Sequence, residues 1–178
     1  MGLEWLDLYR QTSAWTAEKV GGATDLDATT PCDEWSMRDL LNHMLDTQRY
    51  FLGAARGEDA APPGPNPPDV VSANPRQDFE RVQGDVIQAF SQDGVIEKTG
   101  PALGIAFADQ LLHGWDVARA AGQDDTMPDG LAKAAYDVIH GRFSDEQRKG
   151  VFKPEIPVAA DASAQDRLLA YTGRQPSQ

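Results

Sequence analysis

Two histidines and an aspartate carry the most chemistry in this sequence. His113 lies four residues after Asp109, in the run Asp109-Gln110-Leu111-Leu112-His113-Gly114-Trp115-Asp116, and His43 belongs to a separate amphipathic stretch. Residues four apart share a helix face, so Asp109 and His113 address one point while His43 approaches it from a neighbouring helix. Two imidazoles and a carboxylate suit zinc, and three protein ligands leave a fourth position open, the pattern of a catalytic rather than a closed structural site. Asp116 stands three residues beyond His113. It is either a ligand in place of Asp109 or the acceptor that orients an imidazole, and periodicity leaves both readings open.

Helices must position these residues, and their limits follow from period and punctuation. Leu3, Leu6, Tyr9 and Trp15 recur at roughly helical spacing until Gly21-Gly22 ends the segment. Residues 27–35, which include Thr29-Thr30-Pro31-Cys32-Asp33-Glu34-Trp35, keep no period and read as an ordered loop. Ser36 with Asp39 three residues on resembles a capping box, with Asp in the place of Glu or Gln. It opens a helix that reaches about Gly57 with Leu40, Met44, Thr47 and Phe51 inward. His43 lies about 60° from Leu40 on that wheel, at the edge of the apolar stripe. The prolines from Pro62 to Pro68, within 58–74, exclude helix and central strand. A spacer between helices fits this composition better than a polyproline ligand.

A third helix runs from about Arg76 to Gln92, with Phe79, Val82, Val86, Ile87 and Phe90 inward and Gly94 as its stop. The next spans about Gly104 to Ala121, closed by Gly122 as a left-handed cap. On its wheel Ile105, Asp109, Leu112 and Asp116 share a stripe, flanked by Ala108 and His113. Two acids thus fall on the core side, where each must be paired, hydrogen-bonded or metal-bound to offset its desolvation. A fifth helix runs from Asp129 to Ile139, and His140 at its end reads as a partner of the negative dipole end, outside the metal site. Phe152 to Val158 is extended by its prolines, and Ser163 with Asp166 caps a last helix through Tyr171, ended by Gly173. No internal repeat interrupts this all-α pattern, which is read as one domain over 1–178.

Composition excludes several functions. With 16 Lys and Arg against 28 Asp and Glu, the net charge of -12 disfavours nucleic acid and anionic lipid. Apolar stretches fall short of the ~20 residues of a membrane span, and Met1-Gly2-Leu3-Glu4-Trp5 lacks the basic and apolar regions of a signal peptide. Leu6 breaks the myristoylation pattern that Gly2 would begin. Cys32 is the only cysteine, so no intrachain disulfide forms, and a cytoplasmic, reducing setting is expected.

The stretch from Thr30 through Trp35 and Asp39 to His43, the run Asp109 to Asp116, and the tail Ala164-Gln165-Asp166-Arg167-Leu168-Leu169-Ala170 resemble the actinobacterial DinB-like metal-binding proteins. These are related to the N-terminal domain of mycothiol-dependent maleylpyruvate isomerase. The resemblance covers nearly the whole chain. It implies a DinB-like four-helix bundle with a short C-terminal extension and a divalent metal, zinc ahead of nickel or iron, held by His43, Asp109 and His113. The isomerase has Glu at the position of Asp109, one methylene longer, which bears on geometry and metal preference. It also has a sizeable C-terminal domain, where here about 28 residues follow Gly150. The implied chemistry is therefore thiol activation rather than maleylpyruvate isomerisation as such. Zinc coordination deprotonates a low-molecular-weight thiol, mycothiol in this family, which then adds to a small electrophile. An S-transferase or an isomerase-like metalloenzyme would work in this way, with a small-molecule thiol and electrophile as its partners.

Other roles compete with these. Cys32 is either a reactive thiol or extra ligand, or a small buried hydrophobe. Trp35 and Trp115 line a pocket or fill the core. Arg119 holds an anionic substrate group, or is a solvated or ion-paired surface cation. A non-catalytic metal sensor or storage protein, and a structural bundle with core histidines, are the alternatives to an enzyme. The apolar stripes suit one closed bundle or a homodimer contact equally.

Overall fold

A computed structural model shows an all-α chain: α1 Gly2–Gly21, α2 Met37–Arg56, α3 Pro75–Phe90, α4 Val95–Thr99, α5 Ala102–Ala120, α6 Leu131–Ile139, α7 Asp145–Lys149 and α8 Ala164–Tyr171. The structure describes residues 2–176, with side chains from Glu4 onward, so the side chain of the expected apolar position Leu3 lies outside those described. Among the described residues, strand-like pairing is confined to an isolated antiparallel bridge between Thr29 and Ser36. No described helix is long and apolar enough to cross a membrane.

The chain divides into two compact units, Met1–Thr126 and Met127–Gln178. In the first, α1 packs on α5 and α3, and α2 packs on α3 and α5. This four-helix arrangement makes α2 and α5 neighbours, which the metal hypothesis requires. Tyr9, Leu40, Met44, Phe79, Val86, Phe107 and Leu111 are all buried in its core. Each large apolar side chain buried there contributes roughly 1.5–3 kcal/mol. In the second unit α6 packs on α8, and Arg148 lies 4.2 Å over the Tyr171 ring while donating to the Tyr171 carbonyl at 2.8 Å.

Local signals set the helix ends. At the start of α2, Ser36 Oγ accepts from the Asp39 amide at 3.3 Å and Asp39 Oδ2 accepts from the Ser36 amide at 3.0 Å. This is the expected capping box, with Asp reaching back as Glu does elsewhere. Gly57 and Gly122 end α2 and α5 at φ 75° and 65°, a conformation that costs glycine no Cβ clash.

Four features differ from the sequence expectation. Helix α3 ends at Phe90 rather than Gln92, and Ile87 is only half-buried. Helix α6 begins at Leu131, two residues late, because Gly130 takes φ 80° just before it. The short helices α4 and α7 were not foreseen, since five residues are too few to display a period. Finally, α5 is buried on most of its surface rather than along one stripe. It is enclosed by α1 and α2 on different sides, as expected for a helix with apolar residues nearly all round. Ile105, Asp109 and His113, spaced by four, form its half-buried line.

Candidate metal centre

The segment ahead of α2 is tied down residue by residue. Thr30 Oγ1 donates to the Trp35 carbonyl at 2.8 Å, the Met37 amide to Ala28 O at 2.8 Å, and the Arg38 amide to Leu26 O at 2.9 Å. The proline-rich connection is held on the same end of α2. Buried Asn42 accepts from the amides of Val70 and Val71, both at 2.8 Å, and the Trp35 indole donates to the Pro65 carbonyl at 2.9 Å. These bonds present Cys32 and Trp35 toward the residues of α5.

There the histidines meet. The rings of His43 and His113 lie 4.9 Å apart, nearly edge to face, and Trp35 packs 4.4 Å from His43. His43, Asp109 and His113 each offer a ligand atom, and these atoms lie within 4.8 Å of one another. The two carboxylates of α5 take opposite sides of one imidazole. Asp109 Oδ1 lies 3.5 Å from His113 Nε2, and Asp116 Oδ2 lies 2.9 Å from His113 Nδ1. Asp116 is fully buried, whereas Asp109 keeps 24% of its side chain exposed. On the wheel the two acids are equivalent, but the ring between them gives each a different task.

The residues fit a divalent metal. Two buried polar atoms, His43 Nδ1 and Asp109 Oδ2, have no hydrogen-bond partner. Such orphans cost about 1–3 kcal/mol each, and a cation among them would satisfy both. From zinc bond lengths of about 2.0–2.2 Å to nitrogen and oxygen, ligand atoms of a tetrahedral centre stand roughly 3.4 Å apart. The 3.5 Å from His113 Nε2 to Asp109 Oδ1 matches that spacing. Asp116 on Nδ1 leaves Nε2 facing the site, the arrangement that sets the tautomer of a metal-binding histidine.

The electrostatics of the metal-free protein favour a cation here. Burial pushes His43 down to about 4, with His113 nearby adding to the effect against the pull of Asp109. For His113 burial acts in the same direction and is the largest single influence. The Asp109 charge and the bonds to Asp116 and Cys32 together outweigh it and raise the group to about 10. One imidazole is therefore neutral and ready to donate, while the other holds a proton where the metal charge would go.

Cys32 is half-buried and reaches the same cluster. Its Sγ lies 3.4 Å from Asp116 Oδ2, to which it donates, and 4.0 Å from His113 Nδ1. Of the tryptophans, Trp35 flanks the histidines while Trp115 is buried in the core. Arg119 pairs with Asp125 at 2.9 Å and lies 5.5 Å over the Trp115 ring. His140 stacks on Tyr136 at 4.8 Å in the second unit. Thr47, read from its period as an inward residue, also places Oγ1 3.4 Å from His43 Nε2. Its spacing of four from His43 is the signal that would have marked it. Tyr9, an apolar position by its spacing, also carries a polar contact. Its buried hydroxyl donates to Gln48 at 2.5 Å, and its ionisation is opposed by burial first and also by the Asp109 charge.

The family model for the mycothiol maleylpyruvate isomerase N-terminal domain matches residues 8–137. Two uncharacterized proteins of Mycobacterium tuberculosis, from strains CDC 1551 / Oshkosh and ATCC 25618 / H37Rv, are each 25% identical over 166 residues, covering 85% of this chain and 86% of their own. No solved structure matches the chain.

Proposed function

Because the chain belongs to the mycothiol maleylpyruvate isomerase N-terminal domain family, we propose that His43, Asp109 and His113 hold a divalent metal, zinc ahead of nickel or iron, for reaction of mycothiol with a small electrophile. The observation that carries this reading is the pair of orphaned buried atoms, His43 Nδ1 and Asp109 Oδ2, in one cluster with His113. Zinc held by these three residues would supply Lewis acidity, which would lower the pKa of a bound thiol so that it is nucleophilic at neutral pH.

The chain's own residues do the rest. His43 donates as the neutral imidazole that its burial enforces. Asp116 holds the Nδ1 side of His113 and so directs Nε2 into the site. Trp35 covers the face of His43 and limits water there. The thiol sulfur then bonds to carbon of the electrophile. In transfer a leaving group departs with the bonding pair. In isomerisation the addition reverses after rotation about the former double bond.

The test begins with metal analysis of protein purified without an affinity tag. Metal-loaded protein is then given mycothiol and a general thiol-reactive electrophile, alongside His43→Ala. The wild type is expected to conjugate well above background and the variant to fall to background. Equal rates in the two, or no bound metal together with no stabilisation by added metal, would overturn the proposal.

A further inference from the structure

The proposed ligand set uses one side of His113, and a second set of donors gathers on the other. Cys32 comes from the loop ahead of α2, while Asp116 lies three residues beyond His113 on α5. Their separations are 3.4 Å for Sγ to Oδ2, 2.9 Å for Oδ2 to Nδ1 and 4.0 Å for Sγ to Nδ1. We propose that Cys32, His113 and Asp116 form a second, thiolate-containing site for a soft or borderline d-block cation, sharing only His113 with the His43 and Asp109 set.

Spacing supports this. With bonds of about 2.3 Å to sulfur and 2.0–2.2 Å to nitrogen and oxygen, the donor atoms of a tetrahedral centre stand roughly 3.3–3.6 Å apart. The observed 2.9, 3.4 and 4.0 Å straddle that range, so movements of about half an ångström complete the site. Binding releases two protons, the thiol proton now given to Asp116 and the one on His113 Nδ1. A thiolate and a carboxylate then balance the two charges of a divalent cation. Cys32 is half-buried, which leaves a way in from the surface, while Asp116 is fully buried. Sulfur in the set selects zinc, cadmium or copper(I) over magnesium and calcium. The donors of this site stand whether or not the outer set is filled. An ion here also takes Asp116 from its role of orienting His113, so loading this set would slow the thiol reaction at the outer one.

Cadmium is the probe, added to the metal-stripped full chain in thiol-free buffer while the ultraviolet thiolate-to-cadmium absorption is followed. Because Cys32 is the only cysteine, that band reports it alone. The band is expected in the wild type and in His43→Ala, growing in proportion to bound cadmium, and absent in Cys32→Ser. Asp116→Asn is expected to bind at least roughly tenfold more weakly. Cadmium bound without the band in both wild type and His43→Ala would overturn the second site. So would an Asp116→Asn variant that binds as tightly as wild type, since the thiol would then be acting alone. A Cys32→Ser protein that binds no zinc counts instead against the outer set, so the two readings fail separately.

Discussion

His113 faces two carboxylates, and this would shape how the protein meets a metal. Asp109 approaches Nε2 and Asp116 approaches Nδ1, so in the metal-free protein the ring retains a proton up to about 10. His43 stays neutral down to about 4. A metal on the outer set must displace the His113 proton, and the sign follows: zinc affinity rises with pH between those limits, by about tenfold per unit. In Cys32→Ser, which leaves the outer set alone, zinc loading in weakly buffered solution near pH 6 is expected to release close to one proton, measured by indicator dye. Zinc binding with no proton release would remove this account of His113. The residues involved were legible because Asp109 and His113 obey the four-residue spacing of a helix. Their division of labour was not, because Asp109 and Asp116 share one stripe of the wheel and only the ring between them separates their roles.

Helix ends and contacts deliver these side chains to one place. The Ser36–Asp39 box was readable since a cap is a contact over three residues. Apolar residues nearly all round α5 signal its burial, but which two partner helices enclose it was not readable, since they lie far away in sequence. Gly114 marks how closely one of them approaches. A Cβ there would come within 2.8 Å of both Thr16 Oγ1 and the Trp15 ring on α1. Gly114→Ala is therefore expected to destabilise the protein despite the roughly 0.5–1 kcal/mol that alanine gains over glycine within a helix, because overpacking costs about 1–3 kcal/mol. Urea unfolding gives the answer, and a higher midpoint in the variant would show that α1 yields easily. Helices α4 and α7 remained invisible for the opposite reason, being too short to show a period.

For the molecule as a whole, a metal held by His43 on α2 and by Asp109 and His113 on α5 would tie two helices of the first unit together. Ligand binding to the folded state alone adds about 2.7 kcal/mol at a hundred times the dissociation constant. At roughly 2–4 °C per kcal/mol for a chain of this size, zinc is expected to raise the melting temperature by about 5–10 °C. His113→Ala, which removes the residue common to both donor sets, should abolish the shift. The same rise in that variant would mean that zinc binds elsewhere. The net charge of -12 works in the same direction, because an acidic surface concentrates cations around the molecule, an effect that added salt weakens.

Local physics determined much of this protein in advance. Helical period, caps and glycine stops act over a few residues, so they identified the long helices, the connection through the prolines and the donor types on α2 and α5. Which helices become neighbours was decided by packing. α2 lies beside both α3 and α5, and no pattern within α2 states that choice. The same holds for Cys32 and Asp116, which meet at 3.4 Å across 84 residues of sequence. Their encounter depends on how the loop before α2 is bonded down and on which side of His113 the chain presents to it. These are long-range consequences of filling one core, where a contact is set by the shape of everything around it.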